Sequence, residues 1–456
     1  MSTSARSFGR FVAAIAFVVG WIAAPAAAAT TEERVKALEA EVAELEAAVA
    51  AAHERSASPD VAELARRIEL VAAELEQLKL GEAAVEADEG VYGLGPAASK
   101  VYKKAKGVSI GGYGELVYQN FSGSRDDGAP SGKTDELDML RGVVYLGYKW
   151  NDKWLLNTEF EWEHGSTGKK GEASVEFAYV DRLIRPEVNV RAGLVLIPMG
   201  LLNELHEPTV FLGARRTGIE SAILPTTWRE SGVGLFGEVG GFSYRTYVVN
   251  GFDAAGFTAA GIRGGRQKGS QAKAEDFAWV GRLDWTATPG LLAGGSLYVG
   301  DSGQGLADPA GGTVGVSTRI FELHADWKWR ALELRGLYAD ADLGDVAGLN
   351  RALGLVGSQS VGEAMDGYYL QAGCDVLAAR GGDSRLLPFA RWETYDTQAA
   401  VPAGFARNPA NDVDVLTLGI QWQPIDQVVV KADWQDVDNG ADTGVDQVNL
   451  ALGWVF

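Results

Sequence analysis

The chain has 456 residues, among them 58 Gly, 13 Trp, 14 Tyr and one Cys. Lys and Arg total 41 against 61 Asp and Glu, a net charge of −20, which excludes a nucleic-acid partner because phosphate binding needs clustered basic charge. Mean hydropathy is near zero and no apolar run after residue 30 is long enough for a spanning helix, so a helical membrane protein is excluded as well.

Residues 1–29 read as an export signal. Arg6 and Arg10 precede the apolar run 11–24, FVAAIAFVVGWIAA, and Pro25 and alanines follow to Ala29. A basic start, a short apolar stretch and small residues describe a secretory signal peptide cleaved after Ala29, or after Ala28. The run is short for a membrane anchor.

Residues 30–80 read as a short coiled coil. Val35, Leu38, Val42, Leu45 and Val49 alternate steps of three and four, with Val and Leu in the two seam positions of a heptad. The break SASPD at 56–60 is followed by a second run, Val61, Leu64, Ile68, Val71, Leu75 and Leu78. Helices this short are marginal alone, so the seam must be covered. Other protomers around an axis, an antiparallel hairpin, or contact with peptidoglycan would each do so. Residues 81–107 lose the heptad, contain Gly and Pro and carry Lys100, Lys103, Lys104 and Lys106, which suggests a linker that enters the barrel, solvated or with its lysines near lipid head groups.

From Val108 to the end the period becomes two. Trp154, Leu156, Thr158, Phe160 and Trp162 alternate with Leu155, Asn157, Glu159, Glu161 and Glu163. Such runs match the ~9–11 residues of a tilted membrane strand, and aromatics bracket them. Short turns at Asn151 and Asp152, Arg185 and Pro186, Gly240 and Gly241, 288–290, Arg330, Gly381 and Gly382, and 424–426 alternate with long polar stretches. The long stretches are 120–136, 164–172, 198–229, 251–275, 301–314, 341–365, 396–412 and 438–444. That asymmetry predicts an all-β membrane protein: an antiparallel transmembrane β-barrel of about 16 strands over 108–456, in the outer membrane of a Gram-negative-type bacterium. Closure leaves no sheet edge in lipid, and a barrel this wide holds an aqueous channel. Lipid and lipopolysaccharide would surround it.

Parity assigns the channel wall. Arg141, Lys149, Glu159, Glu161 and Arg191 fall on the inner face of the early strands. Arg245, Arg282, Asp284, Glu322, Asp326 and Lys328 do so in the middle, and Glu333, Arg335, Arg385, Arg391, Lys431 and Asp433 later. Charges of both signs set ion preference, or pair across strands to keep the wall wet and rigid. The connection 198–229 is the longest, and its Leu201, Leu202, Phe211, Leu212, Ile219 and Leu224 would be misplaced in water. Folded inward, it would narrow the pore and present Glu204, His206, Glu207, Arg215, Arg216, Glu220 and Arg229; left outside, it would form a cap or a protomer contact. The four histidines, His53, His164, His206 and His324, sit in no nucleophile motif, so no enzyme, metal or cofactor is expected.

The segments SIGGYGELVY (109–118), HEPTVFLGARR (206–216), PTTWRESGVGLFGE (225–238) and YRTYVVNGF (244–252) resemble the phosphate-selective porin superfamily, the outer-membrane porins O and P and their coiled-coil-bearing relatives. The resemblance spans about 108–456 and implies a homotrimer whose third long loop folds inward. It implies a passive channel for small polar or ionic solutes, anions among them. The phosphate-specific members have pores rich in Arg and Lys, whereas this wall mixes both signs with no ladder of arginines. A structural tether, whose coil grips the cell wall, is the alternative.

Overall fold

The computed structural model describes residues 90–165 and 171–456. The expected signal peptide 1–29, coiled coil 30–80 and first part of the linker lie outside them. Among the described residues no helix is long and apolar enough to cross a membrane.

Sixteen strands form a closed antiparallel barrel in which every strand pairs with its sequence neighbours and the first closes on the last. They are β1 (Gly107–Phe121), β2 (Glu136–Asn151), β3 (Trp154–Glu163), β4 (Ala173–Arg185), β5 (Val188–Leu196), β6 (Arg229–Val239), β7 (Phe242–Asn250) and β8 (Phe277–Trp285). The second half is β9 (Leu291–Asp301), β10 (Ser317–Trp329), β11 (Leu332–Leu343), β12 (Ala364–Cys374), β13 (Arg385–Ala400), β14 (Asp412–Ile425), β15 (Val428–Asn439) and β16 (Gln447–Val455).

The period-two pattern orients the wall. In β3, Leu155, Asn157, Glu159 and Glu161 are buried inside, while Trp154 and Trp162 are 42% and 45% exposed outside. Trp150, Trp154, Phe242 and Trp422 stand outward near the short turns, and Trp162, Phe277 and Trp279 near the long connections. Between these rings the outer surface is apolar, with Leu146, Leu235, Leu283, Leu418 and Leu450 exposed.

The tight turns follow from local chemistry. Gly240 and Gly241 have φ of 57° and 85°, the pair of positive values that a two-residue type I′ hairpin demands. The β12–β13 connection at Gly381 and Gly382 is longer than a tight turn and contains a 3₁₀ turn, Ala378–Arg380.

The lumen is filled from two directions. The connection between β5 and β6 turns inward, burying Met199, Leu201, Leu202, Phe211, Leu212, Ile219, Leu224 and Trp228. The short helix α2 (Ile219–Ala222) lies within it. From the other direction, Leu94, Ala97, Ala98 and Val101 are also buried, the last two beside or within helix α1 (Lys100–Lys103). The stretch expected to be a solvated linker is therefore packed inside the barrel from about residue 92 to 102. Its small apolar side chains fit against inward residues, and Val101 occupies the space over Gly147, where a Cβ would lie only 2.5 Å from it.

Candidate functional site: the lumen and its inward loop

The inward loop crosses to the far wall and is held there by lumen charges. Arg335 donates to the Val210 carbonyl at 2.9 Å, and Lys431 donates to those of Phe211 and Gly213 at 2.9 and 3.0 Å. Arg391 reaches the Leu212 carbonyl at 3.3 Å. Asp433 accepts from the Ala214 N–H, and Glu393 from that of Ile219, each at 2.6 Å. The loop's backbone polar groups, buried away from water, thus find partners on β11, β13 and β15. These wall charges serve as loop anchors.

The inward charges pair in several groups around the loop. Arg245 pairs with Asp284 at 2.5 Å and with Glu204 at 3.1 Å, and Arg282 pairs with Asp284 at 2.8 Å. His324 bridges Asp284 and Glu322 at 2.8 and 2.9 Å. Arg191 pairs with Asp181 at 2.9 Å, with its guanidinium 3.9 Å from the Tyr179 ring centre. Arg141 reaches Glu115 and Glu161 at 3.0 and 3.4 Å. Arg335 pairs with Asp326 at 2.5 Å, and Arg385 with Glu333.

The seven loop residues expected at the constriction divide into two sets. Glu204, His206, Glu207, Glu220 and Arg229 are buried and structurally engaged, and of these Glu204 lines the larger lumen cavity described below. His206 pairs with Glu159 at 3.1 Å and Arg229 with Glu176 at 2.7 Å. Glu220 accepts from the N–H groups of Leu201 and Leu202, and Glu207 from those of Ala97 and Ala98. A buried carboxylate must be satisfied, and unpaired loop N–H groups supply the donors. Burial pushes the Glu207 carboxyl up to about 7 despite those two bonds.

Arg215 and Arg216 form the second set. They stay partly accessible and line a cavity of about 130 Å³ with Glu115, Glu163, Arg141 and Arg263. Among the described residues no carboxylate lies within ion-pair distance of Arg215, Arg216, Arg263 or Arg266. Arg263 and Arg266 instead donate to the Thr226 carbonyl at 2.7 and 2.6 Å. Burial, then the Arg216 charge, pushes Arg263 down to about 10; burial, then Arg263, pushes Arg266 down to about 9. Glu115 and Glu163 moderate this charge from the cavity rim.

A second cavity, of about 590 Å³, lies on the short-turn side, between residues 90–96, the loop, and β7–β11. Arg245, Arg282, Asp284, Asp326, Lys328 and Arg335 line one side; Leu94, Leu201, Leu205 and Val210 line the other. Lys149 lies elsewhere, donating to the Tyr102 carbonyl at 3.2 Å.

Sequence reasoning missed Asp181 and Glu393, which share the inward parity of their strands, and Glu176, which lies at the register shift between β3 and β4 and so breaks parity. It also missed Arg263 and Arg266, whose loop carries no periodic signal. Among the described residues no group of three or more His, Cys, Asp or Glu side chains could hold a metal ion.

No family model matches the chain. An uncharacterized protein of Aquifex aeolicus (strain VF5) is 34% identical over 391 residues, covering 83% of this chain and 87% of that protein. Among solved structures, the anion-selective porin from Comamonas acidovorans is 14% identical with a TM-score of 0.48, covering 76% of this chain and 99% of that one. The outer membrane channel DcaP of Acinetobacter baumannii is 14% identical with a TM-score of 0.49, covering 76% and 97%.

Proposed function

The chain belongs to one family with the Aquifex aeolicus protein, and for it we propose a passive diffusion channel of the outer membrane for small polar or ionic solutes, with anions favoured. An apolar exterior between two aromatic rings suits lipid, and a closed sheet leaves no backbone edge there. The inward loop forms the constriction. A homotrimer embedded in lipid and lipopolysaccharide is the assembly that goes with this reading.

One observation carries the anion preference. The inward charges are largely paired, whereas Arg215, Arg216, Arg263 and Arg266 converge beside the loop without an ion-paired carboxylate. Uncompensated charge at a narrow point raises the local concentration of the opposite ion. The test is the reversal potential of the purified protein in a planar bilayer under a salt gradient. An anion-favouring potential supports the reading, and a cation-favouring one overturns the preference. Absence of conductance overturns the channel itself.

A further inference from the structure

Residues 90–104 occupy the short-turn half of the lumen in a fitted way. Tyr92 packs its ring edge-on to Phe236 of β6, with centres 4.9 Å apart. Asn157 of β3 donates to the Ala98 carbonyl at 2.9 Å. The Tyr102 hydroxyl donates to Asp181 of β4 at 2.6 Å and accepts from Arg191 of β5 at 2.7 Å. Anchors on these strands fix the segment along one side of the wall. On the other side remains the cavity of about 590 Å³ bounded by β7–β11.

A loop carboxylate completes the fit. Glu207 Oε1 accepts from the N–H groups of Ala97 and Ala98 at 3.0 and 3.1 Å, across 110 and 109 residues of chain. Two buried backbone donors thus find their partner on the loop, and leaving them unpaired would cost free energy. The approach is close enough that a Cβ on Gly95 would come within 2.4 Å of the same carboxylate. The segment and the inward loop therefore share one contact, and neither can shift across it alone.

We propose that residues 90–104 are an intramolecular stopper seated in the lumen, latched to the constriction loop by Glu207, so that solute passes only through the cavity beside them. This rests on the channel reading. Glu207 is a positioning residue: it sets the free cross-section by holding the stopper, without touching solute. Its place at the junction of stopper and loop makes the two constrictions move as one. Release of the latch widens the short-turn exit and loosens the loop together.

The test uses the full chain in a planar bilayer. Cys374, the single cysteine, lies on β12 and is replaced first by Cys374→Ala. Gly95→Cys with Glu207→Cys then puts a removable bond where the latch stands. The Gly95 Cβ position lies 3.0 Å from the Glu207 Cγ, within disulfide reach. The oxidised form is expected to conduct like the parent. Reductant should raise single-channel conductance, and reoxidation should reverse the rise, which a merely unstable barrel would not do. Glu207→Gln, which faces the two N–H groups without charge, is expected to show brief excursions to the higher level. Equal conductance in the oxidised, reduced and parent proteins overturns the stopper and leaves the channel standing. Absence of conductance in all of them overturns both.

Discussion

Glu220 accepts a hydrogen bond from the backbone N–H of Leu201 at 2.6 Å, joining the two ends of the inward loop. The same carboxylate takes the Leu202 N–H at 2.7 Å and the Tyr369 hydroxyl of β12 at 3.1 Å. It acts as the loop's internal clamp. Glu220→Ala leaves four buried donors without this acceptor, the Thr217 hydroxyl among them, each costing about 1–3 kcal/mol if unsatisfied. The expected outcome is a folded barrel with a lower melting temperature and noisier open-channel current, measured by thermal melts and bilayer recording. A quiet channel with unchanged melting would remove Glu220 from the clamp.

Charge at the constriction has a separate signature. Arg215→Glu with Arg216→Glu should move the reversal potential toward cations, because both side chains line the same cavity. Arg319→Glu, at an exposed position on the outer face of β10, should leave it in place. A shift from the second variant and none from the first would discard the arginine cluster as the selectivity determinant.

The pH dependence of stability follows from Glu207. Its carboxyl rises from 4.5 to about 7, chiefly through burial. Its folded value lies above its unfolded one, so the stability it contributes is full below about pH 4.5. That stability is lost as pH climbs through about 7. Thermal melts of the parent between pH 5 and 8 should therefore fall relative to those of Glu207→Gln, which lacks this slope. Parallel curves would contradict the raised value.

Buried and exposed ion pairs should respond differently. Asp181→Ala leaves the Arg191 guanidinium buried without its carboxylate, an expected loss of about 3–5 kcal/mol. Asp342→Ala breaks the exposed pair with Arg319 and should cost under about 1 kcal/mol. Denaturant titration of both variants measures the contrast, and equal losses would refute it.

The barrel was legible because period two and the short–long rhythm of connections are local signals. Glu159 and Glu161 alternate with Phe160 and Trp162, and nothing distant is needed to see which face is wet. The inward loop was legible from Phe211, Leu212 and Ile219, apolar groups that need cover. The fate of its carboxylates was not. Glu204, Glu207 and Glu220 look like pore charges in sequence, yet their partners are Arg245 and backbone donors at Leu201, Ala97 and Ala98. Spacing does not reveal contacts across 110 residues. The stopper was hidden for a related reason. Leu94, Ala97, Ala98 and Val101 are small, few and without period, and four nearby lysines made the stretch read as solvated.

The seam between β1 and β16 differs in kind from the rest of the cylinder. Every other strand pair joins sequence neighbours, whereas here Gln119 and Gln447 meet across 328 residues. Fifteen junctions can therefore zip between sequence neighbours, each closing a loop far shorter than the whole barrel, and the one long closure is concentrated in a single step. Until that step the two outermost strands expose unpaired backbone to their surroundings. The assembly is a ribbon that becomes a tube at one line, and its slowest and most aggregation-exposed moment belongs to that line alone.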